Sequence, residues 1–518
     1  MSWTEQAIFY HIYPLGLTGA PRHNDYGTPV HRLETLFPWI DHLCDFGFNA
    51  LYIGPLFESV GHGYETTDYR LVDSRLGTNE DLKEFVRRCH GKGIKVILDG
   101  VFNHTGRDFF AFRDIREKRE NSPFVNWYCN VNFYGNNRYN DGFSYDTWGG
   151  HDALAKLNHA NPDVRNYLLD CVHFWIEEFA IDGLRLDAAD VLDFNFMREL
   201  RARTQEWKED FWLMGEVIHG DYSRWVNENT LHSVTNYHLH KALYSGHNDH
   251  NYFEIAHTVK RTYEIFGDRD VRLYNFADNH DVERIYTILR NKAHYLPLHI
   301  LLYTLPGIPS VYYGSEYGIE GKKERHSDAS LRPALKLEEM QDNPCSELIR
   351  ALGKIRRNEQ ALTYGEYQEV SLTTRQYVFR RGDVIICVNN DDQEYTLEIP
   401  GEGQYTGALY GGTPESQDHR LRITIPGCSG EIYIPQGHRP AYEPVKHVIE
   451  NQATAAERKE PARSADPHKP YEEMTVEELQ AEILAKLARN GPVTERMKQD
   501  VRENVYRDSL LNWVRSFR

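Results

Sequence analysis

The sequence predicts an α/β protein built on a (β/α)8 barrel, and three observations lead to this prediction. Between residue 7 and about residue 358, short apolar runs alternate with longer amphipathic stretches. Eight such runs fall within this part of the chain, which is typical of a (β/α)8 barrel. The glycine-rich phosphate turn that a doubly wound sheet carries after its first strand is missing.

The eight apolar runs have the length of buried strands. Segments with helical spacing, for example Leu82, Phe85 and Cys89, lie between most of them. The predicted barrel strands are 7–13, 50–54, 95–99, 183–187, 211–216, 233–236, 273–277 and 309–313.

One connection is much longer than the others, and it predicts a small inserted domain after the third strand. We assign 1–104 and 159–358 to the barrel and 105–158 to the insertion. Aromatic faces and amide side chains suit a sugar, because C–H faces stack on rings and hydroxyl groups need donors and acceptors. The alternative is an insertion that packs on itself. Its aromatic residues are Trp127, Tyr128, Phe133, Tyr134, Tyr139, Phe143, Tyr145 and Trp148.

After residue 358 the apolar spacing changes to period two, which predicts an antiparallel β-sandwich over 359–437. Residues 438–470 are rich in proline and are expected to form a linker. Residues 471–518 predict a helical extension whose first helix starts with a capping box of Thr475 and Glu478. A second helix follows from about Met497. These helices dock either onto the chain's own barrel or onto a second subunit, which would form a homo-oligomer, and the sequence favours neither alternative.

Composition excludes several classes of protein. The formal charge is 59 − 77 = −18, which argues against nucleic acid as the main partner. No apolar run approaches the length of a membrane span, and the first residues lack the features of a signal peptide, so we expect a cytoplasmic protein. The seven cysteines are scattered without a CxxC spacing, which argues against a disulfide framework and a zinc site.

Carboxylates follow three of the predicted strands, where a barrel has its active site: Asp187, Glu216 and Asp281. Arg185 lies two residues before Asp187 on the same strand face, and we expect it to lower the pKa of Asp187. Glu216 stands in less polar sequence and is expected to stay protonated. Retaining glycoside cleavage uses such a pair about 5–5.5 Å apart. Alternatively, Asp281 caps a helix and Asp187 forms a buried ion pair with Arg185.

The motifs around these carboxylates resemble, in order and spacing, the signature regions of the alpha-amylase superfamily (glycoside hydrolase family 13). They are DGVFNH (99–104), GLRLDAADV (183–191), GEVIH (215–219) and FADNHD (276–281). Further matches are HGY at 62–64, KLN at 156–158 and GIPSVYYG at 307–314. The resemblance extends from residue 7 to about residue 437.

The resemblance implies that Asp187 is the nucleophile, Glu216 the general acid and base, and Asp281 a third carboxylate that binds hydroxyl groups of the distorted sugar. It implies that Arg185 orients Asp187, with Asp99 as its structural support. It also implies that two histidines hydrogen-bond this sugar and that a tyrosine stacks under its ring; the alternative is that these three are core residues. They are His104, His280 and Tyr64.

Several positions differ from common family patterns. Asp190 and Val191 stand where many alpha-amylases have a Lys-His pair that contacts the acceptor sugar and supports a structural calcium. A calcium near Asn103 is therefore left open, and no other cofactor or metal is expected. Gly61 stands where exo-acting alpha-glucosidases have an aspartate. Lys156-Leu157-Asn158 is closer to the maltogenic amylase, neopullulanase and cyclomaltodextrinase group.

We therefore predict a retaining hydrolase of α-1,4-glucosidic bonds in maltooligosaccharides or cyclodextrins. The alternatives are a transglycosylase, an enzyme acting on α-1,6 bonds or sucrose, and a carbohydrate-binding scaffold without activity. A local set of histidines suggests a metal by number, but its irregular spacing favours a surface loop. The set is His238, His240, His247, His250 and His257.

Overall fold

The computed structural model describes residues 2–267, 272–325, 327–437, 441–449 and 475–490, and the single residues 501 and 510. The chain divides into two compact units, Met1–Asn451 and Gln452–Arg518. Each is described by itself below.

Eight parallel strands form the centre of the first unit, which confirms the barrel. Each predicted run contains or overlaps one strand. The strands are β1 Phe9–Ile12, β2 Ala50–Ile53, β3 Lys95–Gly100, β4 Gly183–Leu186, β5 Trp212–Gly215, β6 Ser233–Val234, β7 Tyr274–Phe276 and β8 Ile308–Tyr312. Their order in the sheet is β6-β5-β4-β3-β2-β1-β8-β7, and the outer strands β6 and β7 meet at a bridge between Thr235 and Tyr274.

The strands are largely apolar because both of their faces are buried. Inside the barrel, Phe9 stacks on Trp212 at 5.5 Å between ring centroids and meets Tyr274 edge-on at 5.4 Å. A second, larger apolar cluster separates the strands from the surrounding helices. This packing fixes the strand ends from which the polar residues project.

Helices connect most strands, and several begin with capping side chains. Thr78 and Asp81 form a capping box at α3, and Asn161 caps α5 ahead of Pro162. The helices of the first unit are α1 Pro14–Leu17, α2 Phe37–Asp45, α3 Asn79–Gly91, α4 Phe110–Lys118, α5 Pro162–Phe179, α6 Phe194–Trp207, α7 Tyr237–Asn248, α8 Tyr252–Phe266, α9 Ile285–Ile288, α10 Tyr295–Thr304, α11 Pro344–Asn358 and α12 Gln360–Tyr364.

The insertion follows β3 and is closed at its base by a short antiparallel pair, in which His104–Thr105 faces Ala155–Lys156. Most of its aromatic residues pack on one another: Trp127, Tyr128 and Phe143 are buried. For these residues the self-packed interpretation applies.

Two antiparallel sheets follow the barrel, as the period-two runs predict. Five strands lie in one sheet and three in the other, and Ile385 from the first and Ile423 from the second share one apolar cluster. The period-two runs lie at 377–380, 384–389, 395–399, 421–425 and 431–435, so they predict five of these eight strands and miss Tyr367–Leu372, Tyr405–Gly407 and Glu415–Gln417. The strands are β9 Tyr367–Leu372, β10 Gln376–Arg381, β11 Val384–Asn389, β12 Tyr395–Pro400, β13 Tyr405–Gly407, β14 Glu415–Gln417, β15 Arg420–Ile425 and β16 Ser429–Pro435.

Part of the proline-rich segment is described, at residues 441–449, and it holds no helix or strand. This segment contacts other parts of the first unit. Val445 N donates to the carbonyl of Leu409 at 2.7 Å, and the Tyr442 hydroxyl donates to Glu359 at 2.7 Å. The rest of 438–470 lies outside the described residues.

In the second unit, α13 spans Val476–Asn490. Its predicted capping box is present, since Thr475 N donates to Glu478 Oε2 at 2.7 Å and Glu478 N donates to Thr475 Oγ1 at 3.2 Å. The predicted second helix falls almost wholly outside the described residues. None of the described helices has the combined length and apolarity that crossing a bilayer requires.

Candidate active site

A cavity of about 1130 Å³ opens at the carboxyl ends of the barrel strands. The structure brings the seven sequence-predicted site residues together around it. Arg185 and His280 lie buried behind its wall and contact the residues that face it. The other five line the cavity: Tyr64, His104, Asp187, Glu216 and Asp281.

One guanidinium group organises two of the three carboxylates. Arg185 donates from Nη1 to Asp99 Oδ1 at 2.8 Å and to Asp187 Oδ1 at 2.9 Å, and its Nη2 lies 2.8 Å from Glu216 Oε2. The main-chain N–H of Ala188 also donates to Glu216 Oε2, at 3.1 Å. Asp187 and Glu216 are therefore held within the span of a single guanidinium.

The charge of this pair differs from the expectation for Asp187. Burial raises the pKa of Asp187 well above the usual value, and the Arg185 guanidinium opposes this shift without reversing it. Arg185 therefore lowers the pKa of Asp187, as expected, but burial and the neighbouring carboxylates outweigh it, so the expected net lowering is wrong. Burial also raises the pKa of Glu216, as expected. Together the pair retains a proton more strongly than two exposed carboxylates would.

Asp281 has a different environment from the other two carboxylates. Its Oδ2 lies 3.0 Å from His280 Nε2, and its Oδ1 lies 2.7 Å from Arg332 Nη2. Burial favours the neutral form of Asp281, but His280 and Arg332 outweigh it and hold its pKa well below the usual range. Asp281 is thus an ionised acceptor. It does not cap the next helix, since α9 starts after Arg284.

Tyr64 lies against the same histidine. Its ring stacks on that of His280 at 5.8 Å and an interplanar angle of 12°. Its hydroxyl donates to Asp99 Oδ2 at 3.0 Å and lies 2.5 Å from His280 Nε2. Although largely buried, the tyrosine still forms part of the cavity wall.

His104 is held neutral and has one nitrogen to spare. Burial lowers the pKa of His104 to about 3, Asn103 Nδ2 donates to its Nδ1 at 3.2 Å, and its buried Nε2 has no partner. Since His104 lines the cavity, this nitrogen is available to a substrate hydroxyl.

The fit of a calcium ion rests on Asn103, whose buried Oδ1 also lacks a partner. A carbonyl oxygen is a suitable calcium ligand. Among the described residues, however, three side chains lie close enough together to share an ion: His31, Glu34 and Asp81. This group is at the protein surface and does not include Asn103. One oxygen alone does not form a calcium site, and calcium stays an open prediction.

Three residues of the site were missed by sequence reasoning. Arg332 binds Asp281. The Tyr237 hydroxyl donates to Glu216 Oε1 at 3.4 Å and accepts a bond from Asn279 Nδ2 at 3.2 Å. Glu65 lines the cavity beside Tyr64. Only Glu65 had a signal, because it directly follows a predicted site residue.

Of the eight aromatic residues noted in the insertion, Trp148 lines the cavity. Its ring lies 6.0 Å from that of His104 and stacks on His151 at 5.9 Å and 21°. The side chain is 39% exposed. Tyr134, in contrast, is fully exposed to solvent.

Apolar side chains form another part of the cavity wall. Val191 and Ile218 both line it and are 50% and 38% exposed. They follow Asp187 and Glu216 closely in the chain, and Asp190 lies beside them. The two positions at which this chain differs from many alpha-amylases, Asp190 and Val191, therefore line the cavity.

The histidine set does not form the predicted surface loop, because most of its members lie on α7 and α8. His240 and His247 are buried, and their Nδ1 atoms are 2.8 Å from the carbonyl of Ala277 and 2.6 Å from that of Leu243. Helix packing explains the irregular spacing. None of the five belongs to the cluster of candidate metal ligands found among the described residues.

Comparison with known proteins agrees with this fold. The model of the alpha amylase catalytic domain matches residues 33–354. A cyclomaltodextrinase of Thermoanaerobacter pseudethanolicus is 30% identical over 436 residues, which are 77% of this chain and 73% of that protein. Neopullulanase 2 of Thermoactinomyces vulgaris is 29% identical over 466 residues, 83% of this chain and 78% of that protein.

Among solved structures, a debranching enzyme of Nostoc punctiforme superposes with a TM-score of 0.73 at 29% identity. The match covers 83% of this chain and 98% of that one. This chain therefore belongs to the alpha-amylase family of glycoside hydrolases, as the family match and the relatives show, and it is an α-glucan hydrolase.

Proposed function

We propose that the protein hydrolyses α-1,4-glucosidic bonds of maltooligosaccharides or cyclodextrins and retains the anomeric configuration. The observation that carries this proposal is the Arg185 bridge, which holds Asp187 and Glu216 side by side. A retaining glycosidase needs its two carboxyl groups only about 5–5.5 Å apart, because one of them attacks the sugar directly.

In the first step, protonated Glu216 donates its proton to the glycosidic oxygen while an ionised Asp187 oxygen attacks the anomeric carbon. The bond between carbon and the leaving oxygen breaks, and an ester between the sugar and Asp187 forms. In the second step, Glu216 takes a proton from water, whose oxygen displaces Asp187 from the anomeric carbon. Glu216 is thereby protonated again and Asp187 is free.

The remaining residues bind the reacting sugar in this proposal. Asp281 accepts hydrogen bonds from its hydroxyl groups, and the ring stacks on Tyr64. His104 and His280 offer further hydrogen bonds. Arg185 orients Asp187 and, once the ester forms, stabilises the carboxylate that Glu216 becomes. Side-chain carboxyl groups perform every step, so we propose that no cofactor takes part.

The second candidate is transfer of the glycosyl group to another sugar. It is favoured by Val191 and Ile218, because exposed apolar side chains beside the catalytic carboxylates can seat a sugar face in place of water. Action on α-1,6 bonds is a separate alternative, and the names of the neopullulanase and debranching relatives favour it.

The experiment is incubation with maltotriose, maltoheptaose, β-cyclodextrin and pullulan, followed by chromatography of the products, with Asp187→Asn as control. Glucose and maltose support hydrolysis of α-1,4 bonds, and oligomers longer than the substrate support transfer. No turnover of any of these glucans by the folded protein contradicts both. The first anomer released, followed by proton NMR, is α if the configuration is retained and β if it is inverted.

The cellular location is part of this proposal as well. A relative from Bacillus subtilis is named an intracellular maltogenic amylase, and small soluble glucans are the substrates expected inside a cell. Fractionation of the native cells tests the location.

A further inference from the structure

Four ionisable side chains stand together at one end of the cavity, and we call them the charged wall: His62, Glu65, Asp328 and Arg332. His62 Nε2 lies 3.0 Å from Glu65 Oε1, and burial lowers the pKa of His62. Arg332 Nη2 lies 3.4 Å from Asp328 Oδ2. The wall thus consists of one histidine–carboxylate contact and one ion pair, and all four residues line the cavity.

Tyr13 connects the two pairs. Its hydroxyl donates to the carbonyl of His62 at 2.6 Å and lies 3.5 Å from Arg332 Nη1. Arg332 in turn binds Asp281. Because these contacts are short and partly buried, the position of the charged wall relative to Asp281 is well defined.

Glu65 has hydrogen-bonding capacity that the protein does not use. The residue is 9% exposed, and its buried Oε2 has no partner, whereas Oε1 is paired with His62. A buried carboxylate oxygen without a donor destabilises the fold. Such an atom at the wall of a substrate cavity is explained if the substrate supplies the donor.

The proposed substrate is a neutral glucan, so the donor it offers is a hydroxyl group. His62 already occupies Glu65 Oε1, which leaves Oε2 as the oxygen of this carboxylate without a partner. A sugar hydroxyl is a neutral donor that fits a single carboxylate oxygen. Gly61 has no side chain, and a Cβ atom there would lie 3.3 Å from Glu65 Oε1, so a larger residue at this position would press on the carboxylate.

The position of the charged wall in the barrel indicates which part of the sugar chain it contacts. Its residues follow β2 and β8, and Tyr13 follows β1. Glu216, in contrast, follows β5, and its partners Ala188 and Tyr237 follow β4 and β6. In the order of strands around the barrel these two groups lie on opposite sides. The leaving sugar is on the side of Glu216, so the wall faces the sugar chain that stays on the enzyme.

We propose that Glu65 Oε2 accepts a hydrogen bond from a hydroxyl of the second glucose unit of this retained chain, counted from the cleaved bond. The first unit is served by Tyr64, His104 and Asp281, and Glu65 lies next to them. The inference rests on the proposed function, because it takes the ring at Tyr64 as the reacting sugar.

The test compares p-nitrophenyl α-glucoside, with one retained unit, and p-nitrophenyl α-maltoside, with two. Glu65→Ala is expected to lower kcat/KM for the maltoside about tenfold and to change that for the glucoside by less than about twofold. Glu65→Gln keeps the side-chain volume and an acceptor oxygen, and should recover part of the loss. Asp190→Ala, the control, removes a carboxylate on the leaving-sugar side and should change both substrates by the same factor.

Equal losses on both substrates, or no loss on either, overturn the proposal. The melting temperature shows that the variants are folded. Binding of maltotriose is measured by calorimetry in proteins that also carry Asp187→Asn, where Glu65→Ala should raise Kd about tenfold. If the unchanged protein turns over no α-glucan, the proposed function fails, while this Kd still decides whether Glu65 binds the sugar.

Discussion

Arg332 reaches Asp281 from a loop that follows the last barrel strand: its Nη2 lies 2.7 Å from Asp281 Oδ1, and its Nε donates to the carbonyl of His280 at 2.9 Å. One side chain thus fixes both the carboxylate of Asp281 and the backbone that presents it. The bond to a charged group also makes the ionised form of Asp281 more favourable.

We predict that Arg332→Met raises the pKa of the Asp281 carboxyl group. Arg332 is one of the charges that hold this pKa well below the usual range, so its loss should raise the pKa by about one pH unit. Carbon-13 NMR of the Asp281 carboxyl group, assigned with Asp281→Asn, measures this pKa as the pH is lowered.

Lys323→Met is the matched control, because Lys323 donates to the backbone carbonyl of Asp281 at 2.7 Å and not to its carboxylate. The pKa of Asp281 should stay in place in this variant. An unshifted pKa in Arg332→Met would show that Arg332 only holds the loop.

We predict that Glu216→Gln separates substrates by their leaving group. Maltotriose needs the proton of Glu216, so its turnover should fall by roughly 10²–10⁴. p-Nitrophenyl α-maltoside has a leaving group that departs without a proton, and it should still give a rapid burst of p-nitrophenol. The ester on Asp187 then accumulates, since Glu216 no longer activates water.

Stopped-flow absorbance measures that burst, and mass spectrometry measures the added mass on Asp187. Equal losses on both substrates, with no added mass, would argue that Glu216 is not the acid.

We predict that Trp148 contributes to substrate binding. Trp148→Ala should raise KM for maltoheptaose roughly three- to tenfold and change kcat little, because stacking on a sugar face is removed while the carboxylates remain. Tyr134→Ala, on the same insertion but fully exposed, should leave KM unchanged. An equal effect of both variants would point to disturbance of the whole insertion.

We predict that acid destabilises the fold below pH 6.5. Burial lowers the pKa of His240, His294 and His299 to about 4. Between pH 4 and 6.5 the unfolded chain therefore binds more protons than the folded one, and stability falls as pH falls. Each such histidine contributes a slope of about 1.4 kcal/mol per pH unit.

The free energy of unfolding between pH 4 and 7 measures this effect. His299→Gln should flatten the slope by the share of one histidine, whereas His23→Gln, at an exposed position, should not. A slope that is the same in both variants and the unchanged protein would mean that other groups cause the acid sensitivity.

The barrel could be predicted from the sequence because its strands are buried on both faces and read as continuous apolar runs. The strands missed in the C-terminal sheets are β9, β13 and β14, in which β9 is only half-buried and β14 is exposed. Such strands keep few apolar residues, and their pairing depends on neighbours that lie far along the chain.

The candidate site could be predicted where its residues stand within a few positions of a strand end, as Asp187 and Glu216 do. Arg332 was missed because nothing in its local sequence shows that its loop returns to Asp281, 51 residues away. The pKa of Asp187 was misjudged because the sequence shows Arg185 beside it but not the burial that raises this pKa, nor the two further carboxylates that the fold places around Arg185.

The bridge between Thr235 and Tyr274 makes one seam of the barrel much weaker than the others. β6 has only two residues, and across the seam the Asn236 amide donates to the Tyr274 carbonyl at 2.9 Å. We expect amide hydrogens here to exchange with solvent before those of β2 or β3, because local opening breaks few bonds. Tyr237 directly follows Asn236 at this seam, and its hydroxyl donates to Glu216, so a bound sugar that contacts this pair should slow the exchange and report its own occupancy.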